Sequence, residues 1–203
     1  MNEKITRTIS GLTYVAIMWF GTSNSKTSFT ILFSTILLIC LYEMLRLRKG
    51  KSKTIAVLYL LIPLILIHLI EQKLVLLILI LTWSFDTFAY IIGVRFGIHK
   101  IMPTISPNKS WEGFAGGFIF TIITSYLTLN YFSEIELNQI IIISILLPFT
   151  ATIGDFIESY YKRIAGVKDS GNFIPGHGGM LDRMDAFMIT IPVIYIITIV
   201  LIK

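Results

Sequence analysis

The feature that most limits what this chain can become is its repeated return to apolar runs of about 20 residues, separated by short polar breaks. Coiled as a helix, such a run reaches roughly 30 Å, the thickness of a bilayer's hydrocarbon core. Lipid offers backbone N–H and C=O groups no partners, so only helices and closed barrels are stable there. A barrel would show short alternating strands, whereas these runs are continuous. Apolar residues fill 55% of 203 positions and charged residues 14%. Mean hydropathy is +0.79, well above what a soluble core of this length requires. The sequence therefore predicts an all-α, polytopic transmembrane helical bundle of about seven spans, near 9–24, 28–45, 55–70, 74–92, 112–132, 139–161 and 184–202.

The basic residues orient it. Lys4 and Arg7 precede the first run; Arg46, Arg48, Lys49, Lys51 and Lys53 follow the second; Arg95, Lys100 and Lys109 follow the fourth; Lys162, Arg163, Lys168 and Arg183 border the loop after the sixth. With the N-terminus inside, all of these share the cytoplasmic face, while Lys26, Lys73, Lys203, Glu71, Glu134 and Glu136 take the other. The expected location is the cell's inner membrane, multi-pass, with the first run kept as an anchor rather than cleaved as a signal. The basic balance follows from topology and from anionic headgroups or phosphates, which excludes a nucleic-acid partner. Cys40 is alone in an apolar run, so neither a disulfide framework nor a cysteine zinc site is available.

Two polar loops on the inner face remain for chemistry, Gly93 to Trp111 and Tyr161 to Arg183. In the sixth run Asp155, Glu158, Ser159 and Lys162 follow helical spacing and share a face. An unpaired carboxylate at mid-bilayer would cost about 2.5–3.5 kcal/mol, so Asp155 needs a partner. Asp182 and Asp185, three apart, open the last run. Two helix faces bearing hard oxygen ligands suit Mg²⁺, which takes one or two carboxylates and leaves its other positions to water and phosphate. The bland alternative pairs Asp155 with Lys162 or Arg163 and leaves the other two aspartates favouring a helix N-terminus. Between these acids, Lys162, Arg163, Lys168, His177 and Arg183 surround Gly176, His177, Gly178 and Gly179, where absent side chains would let backbone N–H groups approach a phosphate. In the other loop Ser106, Asn108, Lys109 and Ser110 precede the fifth run, whose N-terminus also favours an anion. Asp86, with Thr87 and Tyr90, stands between a buried hydrogen-bonded role and a substrate role.

Ser159, Lys162, Arg163, Lys168, Asp169, Pro175, His177, Gly178, Gly179, Asp182, Arg183 and Asp185 resemble, in order and spacing, the signature of the phosphatidate cytidylyltransferase (CDP-diacylglycerol synthase) family. Asp86, Tyr90, Gly93, Gly97 and the stretch Ser106 to Gly113 extend the resemblance over roughly 80–190. It implies one integral-membrane catalytic domain over 1–203 that transfers CMP from CTP to phosphatidic acid, with the lipid bilayer as its surroundings and room for a homodimer. It also implies Mg²⁺ and a second, monovalent cation such as K⁺. Asp155, Asp182 and Asp185 are then the metal ligands, with Glu158 and Asp169 in support. Lys162, Lys168, His177, Gly178, Gly179 and Arg183 take the triphosphate side, with Arg163; Ser106, Lys109 and Ser159 take the lipid phosphate or the nucleotide. The chain is shorter than is usual in that family, between the basic stretch and Asp86.

Three rivals stand beside this reading. A CDP-alcohol phosphotransferase would show D-x-x-D-G, which is absent. A CTP-dependent lipid-alcohol kinase would release CDP instead of pyrophosphate. A small secondary transporter would place its charges near the midplane between repeats, not at one face.

Overall fold

The computed structural model describes residues 3–201, and so leaves out Lys203 and the last position of the 184–202 run; the side chain of Lys4 is also outside the described set. Seven α-helices build the described chain: α1 (Glu3–Ser23), α2 (Lys26–Leu47), α3 (Lys53–Leu66), α4 (Gln72–Phe96), α5 (Trp111–Thr128), α6 (Leu137–Ala165) and α7 (Leu181–Leu201). Each expected run is a helix, with its ends moved by a few residues. Among the described residues, α2, α4 and α6 are long and apolar enough to cross a membrane. Helix α3 has only 14 residues before it tightens into a 3-10 turn at Ile67–Leu69. At 1.5 Å per residue it falls short of the hydrocarbon thickness. Helix α5 has 18 residues, and α1 and α7 carry charged residues in their first turns.

The ends are set by local chemistry. Ser25 caps α2 by accepting from Ser28 N, with the Ser28 side chain returning the bond to the cap. Ser110 caps α5 through Gly113 N, and Gly166, at φ 70°, closes α6 in the left-handed conformation that glycine adopts without strain. The Gly93–Trp111 segment, expected as a loop, extends α4 to Phe96 and then forms a two-stranded hairpin, β1 (Lys100–Met102) with β2 (Ser106–Ser110). Glu112 pins its base, accepting from Ile98 N at 3.1 Å and from His99 N at 3.2 Å.

Glycine decides which helices meet closely. A Cβ on Gly113 would lie 2.7 Å from Ala89 O, and one on Gly117 2.8 Å from Phe85 O, so α4 and α5 pack nearly backbone to backbone; Ser84 and Thr124 hydroxyls, 2.7 Å apart, link the same pair. Gly154 does this for α6 against Asp185 and Ala186 of α7, and deeper in the bundle the Thr150 and Thr190 hydroxyls meet at 2.8 Å. Large apolar side chains such as Leu12, Phe20, Ile31, Leu38 and Leu127 point outward, as a lipid-facing surface requires.

Candidate metal and phosphate site

One end of the bundle gathers the start of α1, the end of α2, the hairpin, the end of α6 and the start of α7. Arg7 Nε donates to Gly176 O at 2.8 Å, Glu43 of α2 reaches Met180 and Leu181, and Arg163 Nε donates to Ile105 O at 3.1 Å. These are the segments whose basic residues the sequence places on one face.

The α6–α7 crossing at Gly154 sets Asp155 beside Asp185. With Glu158 one turn further along α6, the three offer carboxylate oxygens all within 4.8 Å of one another. The spread is slightly wider than the roughly 4 Å across an Mg²⁺ octahedron, a gap that shifts of well under 1 Å per side chain would close. Glu158 is fully buried and its Oε1 has no hydrogen-bond partner. A buried anion with a free lone pair is what a cation would satisfy, so the donor set fits a hard divalent ion.

Lysines flank the cluster. Lys109 Nζ forms an ion pair with Asp155 and lies 5.4 Å from the Phe156 ring centroid. Lys162 Nζ pairs with Glu158 and, at 2.7 Å, with Asp182 Oδ1. The shared α6 face is as the spacing requires: Ser159 Oγ donates to Asp155 Oδ1 at 3.0 Å. Asp155 nevertheless pairs across the fold with Lys109, rather than with Lys162 or Arg163.

Asp182, expected with the metal ligands, is not one of the three but lies next to Glu158, with Lys162 Nζ bridging the two. Its Oδ2 accepts from Ser170 N (2.9 Å), Ser170 Oγ (2.9 Å) and Gly179 N (2.7 Å). The anion that the glycine-rich loop holds is therefore the protein's own Asp182 carboxylate. Gly178, at φ 86°, leaves no room for a side chain there, since a Cβ would lie 2.7 Å from Asp182 Oδ2. Arg163 braces the hairpin and Val167 O, Arg183 donates to His177 O at 2.8 Å, and Lys168 and Asp169 are exposed. His177 Nδ1 lies 3.0 Å from Ser10 Oγ. Burial, then the Arg183 guanidinium beside it, holds the His177 ring below the usual histidine range.

Two cavities lie beside this place and share Asp86 in their walls. The first, about 560 Å³, lies between α4, the hairpin and α5 and is lined by Asp86, Lys100, Ser106, Asn108 and Lys109 among others. The second, about 340 Å³, lies between α1, α4 and α7 and is lined by Tyr14, Asp86, His177, Asp182, Arg183 and Asp185. Tyr90 is exposed and lines the first cavity as well, and Asp86 is open to both cavities.

Sequence reasoning passed over Glu43. It sits on the buried stripe Phe29, Phe33, Ile36, Cys40, Glu43, Leu47 of α2, and a carboxylate on an otherwise apolar stripe was the available signal.

A helical membrane protein with a carboxylate cluster and lysines at one end of its bundle is thus the class that fold and site define. Residues 71–201 match the cytidylyltransferase family, and the chain belongs to it. It is similar to the phosphatidate cytidylyltransferase of Staphylococcus haemolyticus, 45% identical over 122 residues, 59% of this chain and 46% of that one. It is likewise similar to that of Staphylococcus saprophyticus, 46% over 121 residues with the same shares, and to that of Thermotoga maritima, 45% over 128 residues, 60% of this chain and 47% of that one. The matched stretch makes up about half the length of these relatives.

Proposed function

We propose that this chain is a phosphatidate cytidylyltransferase, which joins the cytidylyl group of CTP to phosphatidic acid at the membrane boundary and releases pyrophosphate. The observation that carries this is the Asp155–Glu158–Asp185 cluster, which Asp185 opens to the α1–α4–α7 cavity and which Lys109 and Lys162 flank. Two anionic substrates need two approaches to one charged centre. The hairpin cavity, with Ser106, Asn108 and Lys109, suits the lipid phosphate; the α1–α4–α7 cavity, with His177 and Arg183, suits the triphosphate.

In the reaction a phosphatidate oxygen attacks the α-phosphorus of CTP, the bond from that phosphorus to the α,β-bridging oxygen breaks, and pyrophosphate leaves with its electron pair. The attacking oxygen is already ionised at neutral pH, so no strong general base is required. The demand falls on orientation and charge. Lys109 would hold the lipid phosphate against Asp155; Lys162, fixed by Glu158 and Asp182, would lend positive charge to the triphosphate side with Arg183 and Lys168, and the neutral His177 would offer a hydrogen bond there. A Mg²⁺ ion held by Asp155 and Asp185, with Glu158 behind them, would neutralise phosphate charge and polarise the reacting phosphoryl group. A monovalent cation such as K⁺ is proposed beside it. Asp182 would support this set by holding Lys162 and the loop in place.

The same reading takes all seven helices as membrane-crossing, the shorter ones with local thinning of the bilayer, and places the N-terminus and the site on the cytoplasmic face of the inner membrane. It is tested with detergent-purified protein, phosphatidic acid, Mg²⁺ and each nucleoside triphosphate in turn. Pyrophosphate release that needs both CTP and the lipid is expected. Release of CDP would replace this reading with a lipid-alcohol kinase, and no nucleotide turnover would favour a transporter.

A further inference from the structure

Glu43 is only 4% exposed on α2, outside the 71–201 stretch that matches the family, yet it is bound to the start of α7. Its Oε1 accepts from Met180 N at 3.1 Å, and its Oε2 accepts from Leu181 N at 2.8 Å and from Ser170 Oγ at 3.0 Å. Ser170 Oγ in turn lies 2.9 Å from Asp182 Oδ2. One carboxylate thus takes up two of the orphan N–H groups at the N-terminus of α7, where a negative charge is favoured, and reaches Asp182 through a single hydroxyl. The loop is shaped around it. A Cβ on Gly171 would lie 2.9 Å from Glu43 Cδ, and one on Gly179 would lie 2.5 Å from Glu43 Oε2. Glycine at 171 and 179 is what allows the carboxylate to enter.

We propose that Glu43 is a positioning residue. By fixing the register of α7 against the glycine-rich loop, it sets Asp182, and through it Lys162, and aims Asp185 at Asp155 and Glu158. This inference rests on the cytidylyltransferase reading for its kinetic consequence, though not for its structural one. It gives α2 a defined task, since α2 carries the anchor for a carboxylate cluster built from α6 and α7.

The test compares Glu43→Ala and Glu43→Gln with the parent protein in CTP turnover and in hydrogen–deuterium exchange of the Met180 and Leu181 amides. Losing buried acceptors leaves two donors unmet, so Glu43→Ala should lower kcat about tenfold or more and speed exchange by a similar factor. The KM for CTP should move by less than about threefold, because the loss falls on the reacting geometry. Glutamine keeps one acceptor oxygen, enough for Leu181 N and Ser170 Oγ, but turns its NH₂ toward the Met180 amide, so Glu43→Gln should recover part of both readouts and fall between Glu43→Ala and the parent. Parent-like kcat and exchange in Glu43→Ala would overturn the proposal, as would damage in Glu43→Gln equal to that in Glu43→Ala. If Glu43→Ala does not fold, Ser170→Ala decides: it should lower kcat by about threefold, and unchanged kcat would overturn the proposal. If the parent turns over no CTP while the exchange results hold, the substrate assignment falls and the positioning role stands.

Discussion

At the site end of the bundle Glu43, Glu158, Lys162 and Asp182 are buried or nearly so and tied to one another across α2, α6 and α7; at the far end charges meet as a loose surface pair. The Lys162 and Glu158 side chains are 11% and 0% exposed, whereas those of Lys73 and Glu134 are 49% and 70% exposed. The first kind of pair carries a desolvation cost of several kcal/mol per ion that attraction only partly offsets. The second costs and contributes little. Charge that a fold keeps buried at that cost points to chemistry, and the two ends should answer substitution very differently.

The largest contrast comes from the carboxylates. Asp185→Asn or Asp155→Asn should leave membrane insertion intact and lower CTP turnover by about 10²–10³-fold, read as pyrophosphate release; either variant retaining full activity would remove the cluster from the mechanism. A second contrast uses one substitution at both ends. In Gly154→Ala the new Cβ would meet the Asp185 backbone, with its carbonyl carbon at 3.1 Å, so α7 must shift, at a cost of about 1–3 kcal/mol and a marked loss of activity. In Gly21→Ala the Cβ meets the flexible tip of Leu32 at 2.7 Å, which can turn away. Thermal unfolding of Gly21→Ala should match the parent or rise slightly, since alanine favours helix by up to about 1 kcal/mol.

A smaller effect is expected of His177. Its pKa is lowered in the fold, so the neutral ring's contribution to stability is present above the unfolded value of about 6.5 and is lost as pH falls below it. Melting temperature should therefore drop as pH falls below about 6.5 partly through this group, and His177→Gln should flatten that part of the profile. The smallest effect belongs to the far end. Lys73→Ala should change stability by less than about 1 kcal/mol and leave turnover untouched; a large activity loss there would break the comparison.

What could be read from the sequence tracks the range of the interactions involved. Helices, caps and the α6 face carrying Asp155, Glu158, Ser159 and Lys162 follow from periodicity and i,i+4 spacing, which are local. The Lys109–Asp155 pair, the Glu43 anchor and the capture of Asp182 by Ser170 and Gly179 join residues distant in the chain or curled within one loop, and no periodicity encodes them. The hairpin at 100–110 escaped because its strands are three and five residues long, too short for alternation to register. The glycine-rich loop reads from composition as a place for phosphate, and composition does not encode that Gly179 N and Ser170 already hold the Asp182 carboxylate.

The central claim is that α6 and α7 hold a divalent cation between Asp155 and Asp185. The most direct measurement is anomalous scattering from crystals grown with Mn²⁺ and CTP. The account predicts a peak within coordination distance of both carboxylates, lost in Asp185→Asn. A peak bound elsewhere, with these two side chains free of it, would contradict the account.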